Sequence, residues 1–229
     1  MTSPLNLLSQ LSLNPWFGAL PLRDRKRMLG AADLRSLRPG EMLFRQGDAP
    51  GGLYALVQGK LKMSTLSADG KEAILVVLET GTWFGEISLI DHQPRTHDAT
   101  ALAAAVVLTL PQPIFNQLMQ RNGFALAIAA MLAARIRLLY GIVEDATLRS
   151  TRARIARRLL LLAHGDASMA PSGRPKVPVS QEALAMMIGI SRQTLSKELK
   201  LLVQKGIISL GYRCIEILSE TKLTRYGDE

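Results

Sequence analysis

The sequence predicts an α+β protein in three zones: an antiparallel β-roll, a long helix and a C-terminal winged helix-turn-helix domain. Short apolar segments alternate with turns across residues 37–110, which is typical of an antiparallel roll or barrel. Apolar residues then recur at the three- and four-residue spacing of an amphipathic helix. Two helix-like segments joined by a glycine-containing turn follow, ahead of a hairpin pattern. The expected zones are residues 15–112, 113–146 and 147–229.

Turn sequences divide the first zone. Arg38-Pro39-Gly40, Gln58-Gly59 and Glu79-Thr80-Gly81 separate its apolar segments. The pair Asp69-Gly70 also lies between two apolar segments and favours a tight hairpin, because both residues tolerate a positive φ. Strands this short, with turns this frequent, indicate a roll in which neighbouring strands run antiparallel.

The second zone predicts a long helix with a face of small residues. Alanine is abundant in residues 125–134. The apolar residues at helical spacing are Ile128, Leu132, Leu139, Ile142 and Ala146, with Arg135 between them. Such a helix can pack against its copy in a two-fold dimer. A helix that packs only on its own roll is the alternative, and the pattern favours the dimer.

The third zone carries helix start and stop signals. A basic amphipathic segment near residue 151 comes first, and a loop rich in Pro, Ser, Gly and Lys follows at 169–178. Ser180 is placed to cap one helix, and Gly189 to end it with a positive φ. Ser191 then caps a second helix, from Arg192 to about residue 204. Residues 207–218 predict a hairpin, the wing of a winged helix.

The second of these helices has the residues of a DNA reader. In a helix-turn-helix, the first residues of the recognition helix meet base edges. Arg192 suits guanine, Gln193 suits adenine, and Lys197 suits a base or a phosphate. The candidate DNA-binding residues are Ser180, Ser191, Arg192, Gln193, Thr194, Ser196 and Lys197. A surface helix with incidental charges is the alternative.

The charge distribution supports a nucleic-acid partner. The formal net charge is +9, and residues 146–229 carry 14 of the 28 Lys and Arg but only 7 of the 19 Asp and Glu. An excess of this kind is expected where a protein neutralises phosphates. A generally basic, solvated surface is the other reading.

Several classes of protein are not favoured by the sequence. The single cysteine, Cys214, excludes an internal disulfide and a cysteine-ligated iron–sulfur cluster. No metal-ligand cluster, nucleophile–base set or P-loop indicates an enzyme. His92, His97 and His164 lie in no haem motif. We expect a cytoplasmic protein without a signal peptide or a membrane span, because no apolar run approaches 18 residues.

Five motifs in this order resemble bacterial transcription factors of the cyclic-AMP receptor protein/FNR (CRP/FNR) family. The resemblance covers about residues 15–220. It rests on PGEMLFRQGD (39–48), VQGKLKM (57–63), FGEISLIDHQPRT (84–96), RARIARRLLLLA (152–163) and ISRQTLSKELKLL (190–202). The first zone would then be a cyclic-nucleotide-binding-like roll.

The resemblance implies a phosphate-binding cassette at residues 84–96. Glu86 would accept a hydrogen bond from a ribose 2′-hydroxyl, and Arg95 would pair with the cyclic phosphate. Thr96 would add a hydroxyl group, and backbone N–H groups near Gly85, Glu86 and Ile87 would complete the cradle. A guanidinium fork suits phosphate oxygens. The alternative is that Glu86 and Arg95 pair with each other.

The chain departs from the family pattern at two places. Leu139 and Tyr140 occupy the positions where the cyclic-AMP receptor has two hydroxyl residues against adenine, although Tyr140 can still offer a hydroxyl or stack on a base. His97 follows Thr96, and we expect it at the surface, with pH sensitivity as the alternative. Cyclic AMP, another cyclic nucleotide such as cyclic di-GMP, or no ligand therefore all stay open, and no cofactor is required.

The expected function is that of a homodimeric regulator of transcription. The resemblance implies double-stranded DNA with a palindromic site as the main partner, and RNA polymerase as a further one. The family's recognition helix often has arginine, glutamate and, four residues later, arginine. Here Arg192, Gln193 and Lys197 stand instead, so we predict a different half-site. Regulation without any effector ligand, or a roll that binds another protein, are the alternatives.

Overall fold

A computed structural model describes residues 4–70, 72–165 and 175–228. The chain forms two compact units, one built mainly from residues 4–66 and 75–135, the other mainly from 136–165 and 175–228. The first unit contains the predicted antiparallel roll. Its strands are β1 (Asp33–Leu37), β2 (Met42–Phe44), β3 (Gly52–Gln58), β4 (Lys60–Leu66), β5 (Glu72–Glu79), β6 (Trp83–Phe84), β7 (Asp98–Ala101) and β8 (Ala105–Pro111).

These strands form two four-stranded sheets, in the orders β1-β8-β3-β6 and β2-β7-β4-β5. The pairings with a defined register, such as β1 with β8 and β4 with β7, are antiparallel. Inward-facing side chains fill the roll, among them the neighbouring rings of Phe44, Tyr54 and Phe84. The α+β class with an antiparallel roll is confirmed.

Three helices precede the roll, which the turn and strand patterns did not predict. They are α1 (Pro4–Leu11), α2 (Pro15–Ala19) and α3 (Leu22–Gly30). Trp16 and Phe17 of α2 are buried against Trp83, with ring centroids 5.2 and 4.8 Å away. The Asn14 side chain caps α2 and donates to the Gly81 carbonyl at 3.0 Å. Contacts between residues this distant in sequence hold the N-terminal helices on the roll.

The hairpin predicted from Asp69-Gly70 differs in its turn. Gly70 has a φ of +79°, whereas Asp69 is not among the residues with a positive φ. The Gly70 N–H donates to the Ser67 carbonyl at 2.9 Å, and β5 begins only at Glu72. A two-residue turn with two positive φ angles is therefore wrong; in the described part of a longer connection, Gly70 takes the left-handed position.

The helical zone expected at 113–146 is two helices rather than one. After α4 (Glu86–Asp91), the chain forms α5 (Gln112–Met119) and α6 (Asn122–Leu148). The break lies at Gln120-Arg121, where Arg121 forms an ion pair with the buried Asp24 of α3. The sequence pattern missed this break because apolar residues on both sides of it, such as Phe115 and Phe124, are buried in the same core.

By length and composition alone, α6 is apolar enough to cross a membrane. Its most apolar 18-residue window has a mean hydropathy of 1.8, and 11% of that window is buried. The helix has no uninterrupted apolar run of 18 residues, as expected, because Arg135 and Arg137 lie within it. The exposed large apolar side chains of α6 are Leu126, Ile136, Leu139, Tyr140, Val143 and Leu148. Much of α6 therefore presents an uncovered apolar surface.

The second unit contains the predicted winged helix-turn-helix. Its elements after α6 are α7 (Thr151–His164), β9 (Lys176–Val177), α8 (Gln181–Ile188), α9 (Arg192–Gln204), β10 (Ile208–Gly211), β11 (Cys214–Ile217) and α10 (Glu220–Asp228). The wing hairpin is β10 with β11, and β9 joins it as a third strand in the order β10-β11-β9.

Two parts of this unit were not predicted. Residues 169–174 of the expected loop lie outside the described residues, but Lys176 and Val177 pair with β11 instead of continuing the loop. Helix α10 closes the unit by packing along α7. A two-residue strand carries no periodicity of its own, so its pairing is decided by β11.

Candidate functional site

The segment 84–96 forms a tight cradle around Gly85, which caps α4 with a φ of +92°. A Cβ atom at this position would lie 2.8 Å from Tyr54 Cδ2, 3.1 Å from Arg95 Nη1 and 3.2 Å from the Gly52 carbonyl oxygen. Both the backbone conformation and the close approach of β3 therefore require glycine. This glycine brings the guanidinium group of Arg95 against the backbone.

Arg95 is buried, with 4% of its surface exposed, and its guanidinium group is only partly hydrogen-bonded. Nη1 donates to the Gly85 carbonyl at 2.7 Å, and Nη2 donates to the Gly52 carbonyl at 3.0 Å. The group also lies over the rings of Phe44 and Tyr54, at 4.6 and 5.3 Å from their centroids. Its Nε is buried without a partner.

Glu86 is fully buried and pairs with Arg135 rather than Arg95. Arg135 binds the Oε1 atom of Glu86 and also donates to the Trp83 carbonyl. The Oε2 atom of Glu86 is buried without a hydrogen-bond partner. The alternative of a direct pair between Glu86 and Arg95 is therefore wrong, because each has other partners.

Arg135 is the residue of this site that the sequence reasoning missed. In the sequence pattern it shows only as an interruption of the apolar residues of α6. A single arginine among alanines and leucines is a signal in itself, because a guanidinium group on an apolar helix needs an anionic or carbonyl partner. The partner could not be identified, since Glu86 lies 49 residues away in the sequence.

The remaining candidate ligand residues are more exposed. Ile87 and Thr96 lie at the surface of the first unit. Tyr140 belongs to the second unit and has 71% of its surface exposed. His97 is half-buried rather than on the surface, and its ring lies 3.4 Å from the Thr96 hydroxyl. Burial lowers the pKa of His97, which favours the neutral ring.

Serine side chains cap both helices of the helix-turn-helix, as predicted. Ser180 Oγ accepts from the Ala183 N–H at 3.1 Å, and Ser191 Oγ accepts from the Thr194 N–H at 3.1 Å. The Ser191 and Thr194 hydroxyl groups also bond to each other at 2.8 Å. Gly189 ends α8 with a φ of +71°. The hydroxyl groups of Ser191 and Thr194 therefore stabilise the turn, and both residues are also exposed to solvent.

Helix α9 has a buried apolar face and an open polar face. Leu195, Leu199 and Leu202 are fully buried in the core of the unit. The opposite face lines an open groove of about 710 Å³, formed by Arg192, Gln193, Ser196, Lys197, Lys200, Leu201 and Gln204. The structure thus brings four of the predicted DNA-binding residues together and adds Lys200, Leu201 and Gln204. These three lie one to two turns further along the same face of α9, and that spacing is the signal that could have identified them.

In the described residues, no group of three or more His, Cys, Asp or Glu side chains is placed to hold a metal ion.

Comparison with known proteins identifies both units. The family model of the cyclic nucleotide-binding domain matches residues 34–122, and that of the Crp-like helix-turn-helix domain matches residues 153–226. The cAMP-activated global transcriptional regulator CRP of Escherichia coli is 30% identical over 170 residues, which are 73% of this chain and 80% of that protein. The chain belongs to the CRP/FNR family.

Two further comparisons cover more of the chain. A CRP-like cAMP-activated global transcriptional regulator of Mycobacterium tuberculosis is 27% identical over 202 residues, 85% of this chain and 90% of that protein. The structure of FixK2 from Bradyrhizobium japonicum matches with a TM-score of 0.76 at 20% identity, over 85% of this chain and 96% of that one. The structural similarity to FixK2 establishes the fold of the chain. The protein is a DNA-binding regulator of transcription with a cyclic nucleotide-binding domain.

Proposed function

We propose that this CRP/FNR regulator acts in the cytoplasm as a homodimer whose roll binds a cyclic-nucleotide-like effector. Two buried atoms without partners, Glu86 Oε2 and Arg95 Nε, carry the proposal for the effector. One is a hydrogen-bond acceptor and the other a donor. Leaving such groups buried and unpaired costs free energy, about 1–3 kcal/mol for each and more when the group is charged. A ligand that offers both a hydroxyl and an anionic oxygen would satisfy both.

A cyclic nucleotide has this combination of groups. Its ribose 2′-hydroxyl can donate to Glu86, and its cyclic phosphate can accept from Arg95, whose fork suits phosphate oxygens. Arg135 already holds the other oxygen of Glu86 and so orients the carboxylate. Because Arg135 lies on α6, the ligand would act on the helix through this carboxylate. Thr96 and the backbone N–H groups at Gly85 and Ile87 remain candidates for the same phosphate.

The exposed apolar side chains of α6 support the dimer. Ile136, Leu139, Tyr140 and Val143 are spaced by three and four residues, so they lie along one side of the helix. Burial of this stripe against its copy would remove it from water, and a two-fold pair places the same surface on both subunits. Such a dimer would present two α9 helices to a palindromic site about one DNA turn apart.

The α9 groove supports sequence-specific recognition. We infer that Arg192 and Gln193 contact bases, that Lys197 contacts a base or a phosphate, and that Ser191 and Thr194 bind phosphate oxygens. Ser180 is half-buried at the start of α8, and its hydroxyl accepts the hydrogen bond that caps this helix. It would therefore support DNA binding by positioning α8. RNA polymerase is a further partner on the family likeness alone.

One observation favours a second candidate, regulation without an effector. Arg95 already donates to two carbonyl oxygens and lies over two aromatic rings, so most of its burial is compensated without a ligand. In that case DNA binding would depend on the protein's abundance or on another partner.

Calorimetric titration of the full chain with cyclic AMP, cyclic GMP and cyclic di-GMP separates these candidates. Heat of binding, a raised melting temperature and a change in DNA affinity are expected with one of the three. DNA binding that is unchanged by all of them, together with no heat and no thermal shift, would remove the effector and leave the second candidate.

A further inference from the structure

A small cavity lies inside the second unit, where the end of α6 meets α7 and α8. Its volume is about 80 Å³. Its polar lining is Asp145, Arg154 and Arg158, and its apolar lining includes Ile142, Leu161 and Ile188. A water molecule occupies roughly 30 Å³ of liquid, so the space suits two or three waters or one tetrahedral oxyanion. The question is which of these its charges favour.

Arg158 is buried in this unit with few partners. Only 8% of its surface is exposed, and its one hydrogen bond within the described chain is a long one, 3.3 Å from Nη2 to the Met187 carbonyl. A guanidinium group has five N–H donors. Burial lowers the pKa of Arg158, and the nearby Asp145 opposes that shift. A buried cation with unused donors is costly unless something else compensates it.

Arg154 lies four residues before Arg158, so the two side chains lie on one face of α7. Arg154 donates to the Ile188 carbonyl at the end of α8. Neither arginine forms an ion pair with a carboxylate of the described chain. Two guanidinium groups thus share one cavity with only helix-end carbonyl groups as direct partners.

The carboxylate in the cavity wall is already engaged. Asp145 lies 2.9 Å from Arg149 Nε and 2.8 Å from Arg157 Nε. Glu144 is exposed and lies 3.8 Å from Arg149. These pairs leave no carboxylate in contact with Arg154 or Arg158. Within the described chain, the carboxylate that lines the cavity is thus shared with Arg149 and Arg157, and it compensates only part of the positive charge of Arg154 and Arg158.

We propose that this cavity is a binding site for a phosphate group, held between Arg154 and Arg158. Guanidinium groups form two parallel bonds to phosphate oxygens, which a water molecule cannot reproduce. The site is separate from the cradle of the first unit and from the α9 groove. Since Arg154 and Arg158 also hold the last carbonyl groups of α8, a bound phosphate would fix the first helix of the helix-turn-helix to α7.

The test is a titration of the full chain with potassium phosphate, with potassium chloride keeping the ionic strength constant. Calorimetry and ³¹P NMR measure the binding, and a thermal melt measures its effect on stability. We expect saturable binding at one site per chain and a melting temperature raised by a few degrees at saturation. Arg158→Gln and Arg154→Gln should each weaken binding by roughly 10- to 100-fold, the loss of a charge-assisted contact.

Two matched variants show whether the site is specific. Arg225→Gln removes an exposed arginine of α10, and Lys197→Gln removes a cation of the α9 groove. Arg225→Gln should keep the phosphate affinity of the unchanged protein, whereas Lys197→Gln tests the α9 groove, to which the proposed function assigns a phosphate contact. Binding that is lost in Lys197→Gln but kept in Arg158→Gln would place the phosphate on the DNA-binding face and overturn the proposal. Absence of saturable binding would overturn it as well.

Loss of folding and the source of the phosphate are controlled separately. Circular dichroism checks each variant, and if Arg158→Gln does not fold, Arg158→Lys is measured instead; it keeps the charge without the planar guanidinium group, so weaker binding is expected.

The same titration with glycerol phosphate tests a phosphate ester, and a mixed-sequence duplex tests DNA. Competition of free phosphate with the duplex in the unchanged protein, absent in Arg158→Gln, would identify a DNA phosphate as the source.

Discussion

Gly85 and Gly70 both have left-handed backbone angles, but only Gly85 is surrounded. A Cβ atom at Gly70 would meet nothing within 4 Å, whereas at Gly85 it would clash with Tyr54 and Gly52. A left-handed conformation costs a non-glycine residue about 1–2 kcal/mol. The difference between the two positions therefore separates backbone strain from steric conflict.

We predict that Gly85→Ala destabilises the first unit more than Gly70→Ala does. Gly70→Ala should cost about 1 kcal/mol of unfolding free energy, from strain alone. Gly85→Ala should cost roughly 2–4 kcal/mol, because strain and overpacking add. Urea denaturation followed by tryptophan fluorescence reports on this unit, since Trp16 and Trp83 lie in its core. Equal costs for the two variants would show that the cradle adapts.

The affinity for the proposed effector is expected to depend on Arg95. Arg95→Gln keeps a hydrogen-bonding side chain but removes the charge and the fork, so the affinity for an active cyclic nucleotide should fall by roughly 10- to 100-fold. Arg45→Gln, at an exposed arginine of the same unit, is the control and should not change it. Calorimetric titration measures both, and an unchanged affinity in Arg95→Gln would remove this residue from the ligand site.

Among the elements that the sequence did not predict, α10 has a role that is visible in its contacts. Tyr226 is buried, and its hydroxyl donates to Glu198 Oε2 of α9 at 2.9 Å. Arg152 of α7 pairs with the same oxygen at 3.2 Å. Three helices therefore meet at one carboxylate, which fixes the orientation of α9 within its unit.

Tyr226→Phe removes only the hydroxyl group of this contact. We predict that it lowers the stability of the second unit by about 0.5–1.5 kcal/mol, the net worth of one hydrogen bond. Tyr212→Phe removes the hydroxyl of a wing residue that is 93% exposed, and should change stability by less than about 0.5 kcal/mol. Thermal melts of the two variants make the comparison, and equal effects would mean that Glu198 is held by Arg152 alone.

The apolar stripe of α6 gives a prediction about assembly. Leu139→Glu places a charge in the stripe and should shift the protein from dimer to monomer, since burial of an unpaired carboxylate is unfavourable. Leu22→Glu puts the same change on an exposed leucine of α3 and should leave the dimer intact. Sedimentation velocity distinguishes the two. A Leu139→Glu variant that remains a dimer would indicate that α6 packs elsewhere.

At the scale of the whole molecule, the basic second unit and the family membership define the protein as a DNA-binding regulator. The excess charge lies in the C-terminal part of the chain, and the groove of α9 concentrates three of its cations, Arg192, Lys197 and Lys200. These charges would supply salt-dependent affinity, and Gln193 together with Arg192 would supply base selection.

We predict that Gln193→Glu changes the preferred half-site. Glutamate accepts from the cytosine amino group, whereas glutamine both donates and accepts, as adenine requires. Binding-site selection with the unchanged protein and with Gln193→Glu should return different base preferences at one position of each half-site. Gln204→Glu, at the far end of the same groove, is the control. The same base preferences in both proteins would contradict the prediction, and selection of the E. coli CRP site by the unchanged protein would contradict the expectation of a different half-site.

The sequence by itself determined the roll and the helix-turn-helix with its wing. These features depend on signals between near neighbours: the Ser180 and Ser191 caps, the positive φ of Gly189 and the spacing of leucines in α9. Such signals act over a few residues, so they can be read in order along the chain. Where a local signal was incomplete, as at Asp69-Gly70 or the break before α6, the prediction was wrong in detail.

Only the tertiary structure decided how the buried charges are paired. Glu86 meets Arg135 across 49 residues, and Arg158 meets the end of α8 across 29. A buried ion selects its partner by proximity in the folded chain, because the cost of desolvation must be compensated by whatever group lies in reach. The partner of a buried charge therefore cannot be predicted from the spacing of residues near it in the sequence. The tertiary structure leaves unpaired atoms in the cradle, and in the cavity of the second unit it leaves two arginines without an ion pair in the described chain; both ligand proposals follow from these features.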